Sequence, residues 1–429
     1  MKRSPLSFKF IANACGVFTG CEGTSILSDP WLVDGVFEGS WCHFEKLKTT
    51  LNDVKSANAV YISHLHPDHF DERHFDFEKD KPLILLDHGQ NFLIKKLEVL
   101  GYKNLIKIKD GQTVKFNEFH LTMFAPFAKH NFHNAAVGNL LDSALLLECG
   151  GYKALNANDN TLTIDIAKIF KEKYGPITFA MLNYNAAGPY PSCFENLTEV
   201  EKISEHNRIL LRNYEHIIQI ISEMKPSYLL PFAGAYVLGG YLHVKNKYLG
   251  TATWDECADW IRQHQNAETQ VVLLREGDIF DLEKGSSDKR YEPINKLEMD
   301  KYVKTELSKL KYPYQSEEMP EIKQLISDVE SASIKMIERC RRLSIKSTFK
   351  VIINIDGNLL QIFPFFSRKY SRDISERILE CSLDLRLLRR ILDRRSHWNN
   401  AGIGGHINYY RSPNQYEPDL TLALQFFHL

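Results

Sequence analysis

Residues 64–69 read His64-Leu65-His66-Pro67-Asp68-His69, and no other stretch of this chain restricts its possible folds as strongly. They follow an apolar run, Ala59-Val60-Tyr61-Ile62-Ser63, with the length and composition of a buried strand ending in a loop. Imidazole and carboxylate are the ligands that borderline and hard divalent ions accept, and a tight loop can aim alternate side chains at two neighbouring ions. A solvated histidine-rich turn is the weaker account. Two ions need more donors than one loop supplies, so the fold must bring others to this strand end.

Downstream, Asn156-Ala157-Asn158-Asp159-Asn160 closes another apolar strand and places Asp159 where a bridging carboxylate can sit. The alternative for Asp159 is to cap a helix beginning near Thr163. Lys129-His130-Asn131-Phe132-His133-Asn134 offers two imidazoles, and the residues alone leave His130 and His133 as alternatives. His243 lies in a loop after Pro231-Phe232-Ala233-Gly234. Asp29, before Pro30, is placed either to hold a ligating imidazole from behind or simply to make a turn. His88 and His120 read as core or edge histidines, and His216 falls on the solvated face of a long helix.

Composition limits the partners. A chain of 429 residues with 44% hydrophobic and 25% charged side chains buries a sizeable core without covalent staples. Its net charge of -1 gives no basic field for nucleic acid or an anionic membrane, so a small-molecule substrate is expected. The 8 cysteines form no CxxC pair, which argues against a disulfide framework and a cysteine zinc site and favours a reducing, cytoplasmic setting. Residues 8–17 follow Lys2-Arg3 and superficially mimic a signal peptide, but Lys9 interrupts them and they run into strand pattern, so they read as structure. No run approaches the length of a membrane span.

Short strands dominate to about residue 155, with a hairpin turn at Gly150-Gly151. Helices are expected over 163–174 and 199–225, with strands over 177–182 and 228–232. This order is α+β and predicts two sheets sandwiched between helices. The polar break at 283–290 divides the chain into residues 1–285, the catalytic domain, and 286–429, a smaller α+β domain. In the latter, helices are expected over 299–310, 318–343 and 374–395, with a hairpin over 349–366 turning at Asp356-Gly357.

The order His-x-His-x-Asp-His, then His, Asp and His, resembles the metallo-β-lactamase superfamily, whose fold is an αββα sandwich. The resemblance implies that His64, His66 and His133 take one ion, that Asp68, His69 and His243 take the second, and that Asp159 bridges them. Asp29-Pro30-Trp31-Leu32 and Tyr61-Ile62-Ser63-His64-Leu65-His66 look more narrowly like the CMP-N-acetylneuraminate hydroxylase family. Leu211-Arg212-Asn213-Tyr214, Pro231-Phe232-Ala233-Gly234 and His397-Trp398-Asn399-Asn400-Ala401-Gly402-Ile403-Gly404 extend that likeness along the chain. One departure matters. The vertebrate hydroxylase has a Rieske module with Cys-x-His and Cys-x-x-His ligands, and this chain has neither pairing.

Two chemistries follow from these readings. In a hydrolase, two divalent ions, with Zn²⁺ favoured and Fe or Mn as alternatives, activate water while Asp68 or Asp159 orients it and moves a proton. Tyr184, Asn185 and Arg212 are the side chains expected to hold a phosphorylated sugar, nucleotide sugar, ester or lactone. In the alternative, a non-haem iron oxygenase, a separate electron donor replaces the missing Rieske centre. The C-terminal region is expected either to cover the active-site mouth or to make a homo-oligomer.

Overall fold

The computed structural model of the chain describes residues 4–89, 91–127, 142–266, 268–371 and 376–429. Two large sheets face each other. The first orders its strands Ser286–Ser287, Ile279–Asp281, Leu6–Ala12, Cys15–Gly20, Ser25–Ser28, Ala59–Tyr61, Leu83–Asp87 and Leu105–Lys109. The second runs Gln270–Val271, Tyr228–Pro231, Phe179–Leu182, Tyr152–Asn158, Ala144–Cys149, Phe119–Phe124 and Thr113–Phe116. The N-terminal apolar stretch forms two of these strands, with Phe8 and Phe10 buried.

Alternation along each strand sorts the layers. In Leu83–Asp87, Ile84 and Leu86 join Phe8, Phe18 and Met181 between the sheets, whereas Leu83 and Leu85 pack outward against Leu93 and Leu97 of the helix Phe92–Val99. In Ala144–Cys149, Leu145 and Leu147 face the same inner core, while Leu146 packs outward with Ile217 and Ile221 of the helix Glu199–Met224. Strands covered on both faces become continuous apolar runs, which is why they were legible. The long helix starts at a capping box in which Thr198 and Glu201 satisfy each other's amides, and its buried face carries Tyr214, Ile217, Ile221 and Met224. The result is the αββα sandwich that the resemblance implies.

Beyond it lies a four-stranded sheet ordered Asn358–Phe363, Lys350–Ile355, Ile378–Ser382 and Asn408–Ser412. It packs with the helices Ile322–Arg342, Leu385–Leu392 and Pro418–Leu424. Here one expectation fails: the helix read over 374–395 is a strand, Ile378–Ser382, followed by a helix starting only at Leu385. The strand sits between two partners, parallel to Lys350–Ile355 and antiparallel to Asn408–Ser412. Pairing on both edges overrides local helix preference. Asp384 then starts the helix by accepting the Arg386 N–H at 2.9 Å.

The two regions share packing. One core cluster joins Trp31, Phe37, Trp41 and Tyr236 to Tyr312, Leu325, Val351 and Leu388. Trp41 and Tyr236 stack with ring centroids 3.3 Å apart. Among the described residues, no helix is long and apolar enough to cross a membrane.

Candidate metal centre

The histidine loop and its partners leave the two sheets at one edge of the sandwich. Ser25–Ser28 and Ala59–Tyr61 run parallel with Ser28 beside Tyr61, so Asp29 and Ser63 emerge next to each other. In the opposite sheet Asn158 is beside Leu182, which brings Asp159 and Asn183 out together. The sheets are joined beneath the loop by buried hydrogen bonds. Ser143 Oγ donates to Ser63 O at 2.7 Å, Tyr61 Oη to Ser143 O at 2.9 Å, and Asn158 Nδ2 to Ser143 O at 2.9 Å. Asn13, Asp29 and Asn158 adopt left-handed φ angles of 47°, 40° and 40° beside this network. Strain of this kind persists where surrounding contacts over-determine the backbone.

The donors converge. Ligand atoms of His64, His69 and Asp159 all lie within 4.8 Å of one another. Asp159 Oδ2 stands 3.5 Å from His69 Nε2 and 4.0 Å from His64 Nε2. His66 turns Nδ1 to within 2.8 Å of His64 Nε2, and Asp68 Oδ2 lies 3.4 Å from His69 Nε2. Asp142 adds a carboxylate 3.8 Å from His64 Nε2.

Other side chains aim these donors. Asp29, fully buried, accepts the Ser63 amide at 2.7 Å and approaches His69 Nδ1 at 3.0 Å. Asn13 Nδ2 donates to Asp68 Oδ2 at 3.1 Å while its Oδ1 accepts the Ala235 N–H at 3.0 Å. Asn183 Nδ2 donates to Asp159 Oδ1 at 3.2 Å.

Electrostatics fit a cation here. Burial pushes the Asp142 carboxyl up to about 7, and the neighbouring Asp159 charge adds to this. Burial opposes a charge on His69, yet the carboxylates of Asp68, Asp159 and Asp29 hold its imidazole well above the usual histidine range. Burial lowers His64 and His66 into the neutral form that ligates. Carboxylates crowded beside imidazoles, two of which are held neutral, make a donor set that a divalent ion satisfies.

Several expected residues lie elsewhere. His130 and His133 fall outside the described residues. His243 sits on the 3-10 helix Gly240–Tyr248, where its Nδ1 donates to Gly240 O at 2.9 Å, and it is not among the converging donors. Tyr184 is buried against the outer helices with Tyr214 and Cys257, not in the site. Asn185 clamps the backbone, donating to Gly234 O and Ala252 O, each at 2.9 Å. Arg212 lies on the exposed face of its helix beside Asn213. His216 is half-buried, its Nε2 donating to Leu162 O at 2.7 Å, and is not on a solvated face.

Asn13 and Asp142 were given no role from the sequence, and Asn183 was read only among the possible substrate-holding donors of the loop 183–191, not as a partner of Asp159. Asn183 had a usable signal. Met181 faces inward and Leu182 outward, so alternation directs Asn183 toward the site and Tyr184 toward the helices. Asn13 and Asp142 carry no motif of their own.

No family model matches the chain. In sequence it is similar to a Mycolicibacterium smegmatis protein named for a Rieske 2Fe-2S iron–sulfur centre, 27% identical over 223 residues, which are 49% of this chain and 40% of that protein. It is also similar to the cytidine monophosphate-N-acetylneuraminic acid hydroxylase of Asterias rubens, 25% identical over 49% of this chain and 32% of that protein. The chain thus spans about two fifths or less of the length of these relatives. Among solved structures, a metal-dependent-hydrolase-like protein of Veillonella parvula aligns over 65% of this chain and 100% of its own, with 16% identity and a TM-score of 0.47. With its paired sheets, flanking helices and histidine loop at the sheet edge, the chain has the αββα arrangement that its resemblance to the metallo-β-lactamase fold implies, and its sequence is similar to CMP-N-acetylneuraminic acid hydroxylases over about half its length.

Proposed function

We propose that the chain is a metal-dependent hydrolase acting on a small molecule, with a phosphorylated sugar, nucleotide sugar, ester or lactone as the substrate class. The observation that carries this reading is the convergence of His64, His69 and Asp159, with His66 and Asp68 alongside. A divalent ion held by these residues supplies Lewis acidity and lowers the pKa of a water toward about 7.

The side chains do the rest. Asp29 and Ser63 hold the His69 and His64 rings from behind, so that both present Nε2 to the same space. Asp159, steadied by Asn183, and Asp68, steadied by Asn13, are the carboxylates within reach to orient a water and take its proton.

A second reading is a non-haem iron oxygenase fed by a separate electron donor. The likeness to the Asterias rubens hydroxylase favours it, and histidine–carboxylate sites accept iron as well as zinc. Metal analysis of protein purified without added metal separates the two readings. Zinc or manganese together with turnover of phosphoester or lactone substrates supports the hydrolase. Stoichiometric iron with substrate-dependent O₂ uptake in the presence of a reductant overturns it in favour of the oxygenase. A protein that binds neither metal defeats both.

A further inference from the structure

The motif His397-Trp398-Asn399-Asn400 belongs to no element of the sandwich, yet it touches the metal centre. His66 has two ring nitrogens with different neighbours. Nδ1 faces His64 Nε2 at 2.8 Å, toward the converging donors, whereas Nε2 points away and meets the Asn399 amide at 3.2 Å. The His64 and His66 rings stand nearly perpendicular, at 77°. This leaves Nδ1 as the nitrogen of His66 that can serve an ion. A neutral imidazole that ligates through Nδ1 carries its proton on Nε2, and that N–H needs an acceptor.

Asn399 is held where the acceptor is needed. It sits on the short helix Trp398–Ile403, whose Trp398 is buried edge-on against Phe427 with centroids 5.5 Å apart. The helix end is tied to the first sandwich: Trp41 Nε1 donates to Ile403 O at 3.3 Å, and His406 Nε2 donates to Phe37 O at 3.0 Å. Phe37 in turn packs against His66, with ring centroids 5.8 Å apart. The amide nitrogen of Asn399 is the nearer atom to Nε2, and a half-turn of the amide puts Oδ1 in the same place.

We propose that Asn399 is a positioning residue for the metal centre: its amide oxygen accepts the His66 Nε2–H, fixes the tautomer and leaves Nδ1 to ligate. The C-terminal region therefore completes the site from behind one ligand. This inference rests on His66 being a ligand, and the test separates the two.

The full-length protein is titrated with Co²⁺ alone, following the visible absorption bands, in the wild type and in the His66→Ala, Asn399→Ala and Asn399→Asp variants. Asn399→Ala is expected to weaken Co²⁺ binding by about 10- to 100-fold and to shift the bands. Asn399→Asp, which keeps an oxygen acceptor, is expected to recover most of that loss. Wild-type affinity and spectrum in Asn399→Ala, with binding lost in His66→Ala, overturn the inference and leave His66 as a ligand. Unchanged binding in His66→Ala overturns both. Should Asn399→Ala fail to fold, ¹⁵N-histidine spectra of the zinc-loaded wild type decide: a proton on His66 Nε2 supports the role, and a proton on Nδ1 ends it.

Discussion

Asp29 and His69 form a fully buried pair, Oδ2 of the carboxylate lying 3.0 Å from Nδ1 of the ring. The other carboxylate oxygen of Asp29 accepts the Ser63 amide at 2.7 Å, so one side chain fixes both the start of the loop and the tautomer of its last histidine. An amide in its place can accept only one of those two bonds and must set its NH₂ against the other N–H. Asp29→Asn is therefore expected to weaken metal binding by about 10- to 100-fold, as measured by competition with a chromogenic chelator. It should also lower stability by about 1–3 kcal/mol in urea unfolding.

The outward placement of Tyr184 and Arg212 makes a contrasting pair. The Tyr184 hydroxyl is buried without a hydrogen-bond partner among the described residues. Tyr184→Phe should thus be neutral or stabilising, and Arg212→Ala should change stability by less than about 0.5 kcal/mol. Neither is expected to alter kcat or KM by more than about twofold. A large rise in KM for Arg212→Ala would return it to the substrate site.

Removal of metal is expected to cost stability while preserving the fold, because the sandwich has its own inner and outer cores. An ion present at about a thousand times its Kd contributes about 4 kcal/mol, so dialysis against EDTA should lower Tm by several degrees. Circular dichroism should stay native, and one equivalent of the native metal should restore Tm. Collapse of the spectrum on chelation would instead make the metal structural.

The pH dependence of stability has a distinct source in His406. Burial pushes its imidazole down to about 3, although the Phe37 carbonyl works in the opposite direction and the Lys245 ammonium reinforces the fall. Its Nδ1 accepts from Tyr314 Oη at 3.0 Å, which demands the neutral ring. The unfolded chain takes up a proton near pH 6.5 that the folded chain refuses, so stability is whole above that pH and is lost as pH falls toward 3. The slope approaches about 1.4 kcal/mol per pH unit for this group. His406→Gln should flatten the decline in Tm between pH 6.5 and 4.5, as followed by scanning calorimetry. An identical pH profile in the variant would assign the decline to other groups.

The sandwich was legible because strands covered on both sides are uninterrupted apolar runs, and the loop His64–His69 announces itself by ligand type alone. Asp29 was found because a carboxylate closing an apolar strand just before Pro30 is suited to hold a ligating imidazole from behind. What escaped was set by geometry that no local pattern carries. Asn13 reaches Asp68 across 55 positions of sequence, and Ile378–Ser382 became a strand only because two neighbours flank it. Tyr184 was chosen where its neighbour Asn183 does the work, a one-residue offset that reverses which side of the sheet a side chain serves.

The apolar cluster uniting Trp31, Phe37 and Trp41 with Leu325, Val351 and Leu388 bears on how this protein can be dissected. Cutting the polypeptide near residue 285 would strip both fragments of their mutual wall and lay bare several large aromatic rings. Neither half is then a natural unit for expression, and heat should melt the molecule as one cooperative body.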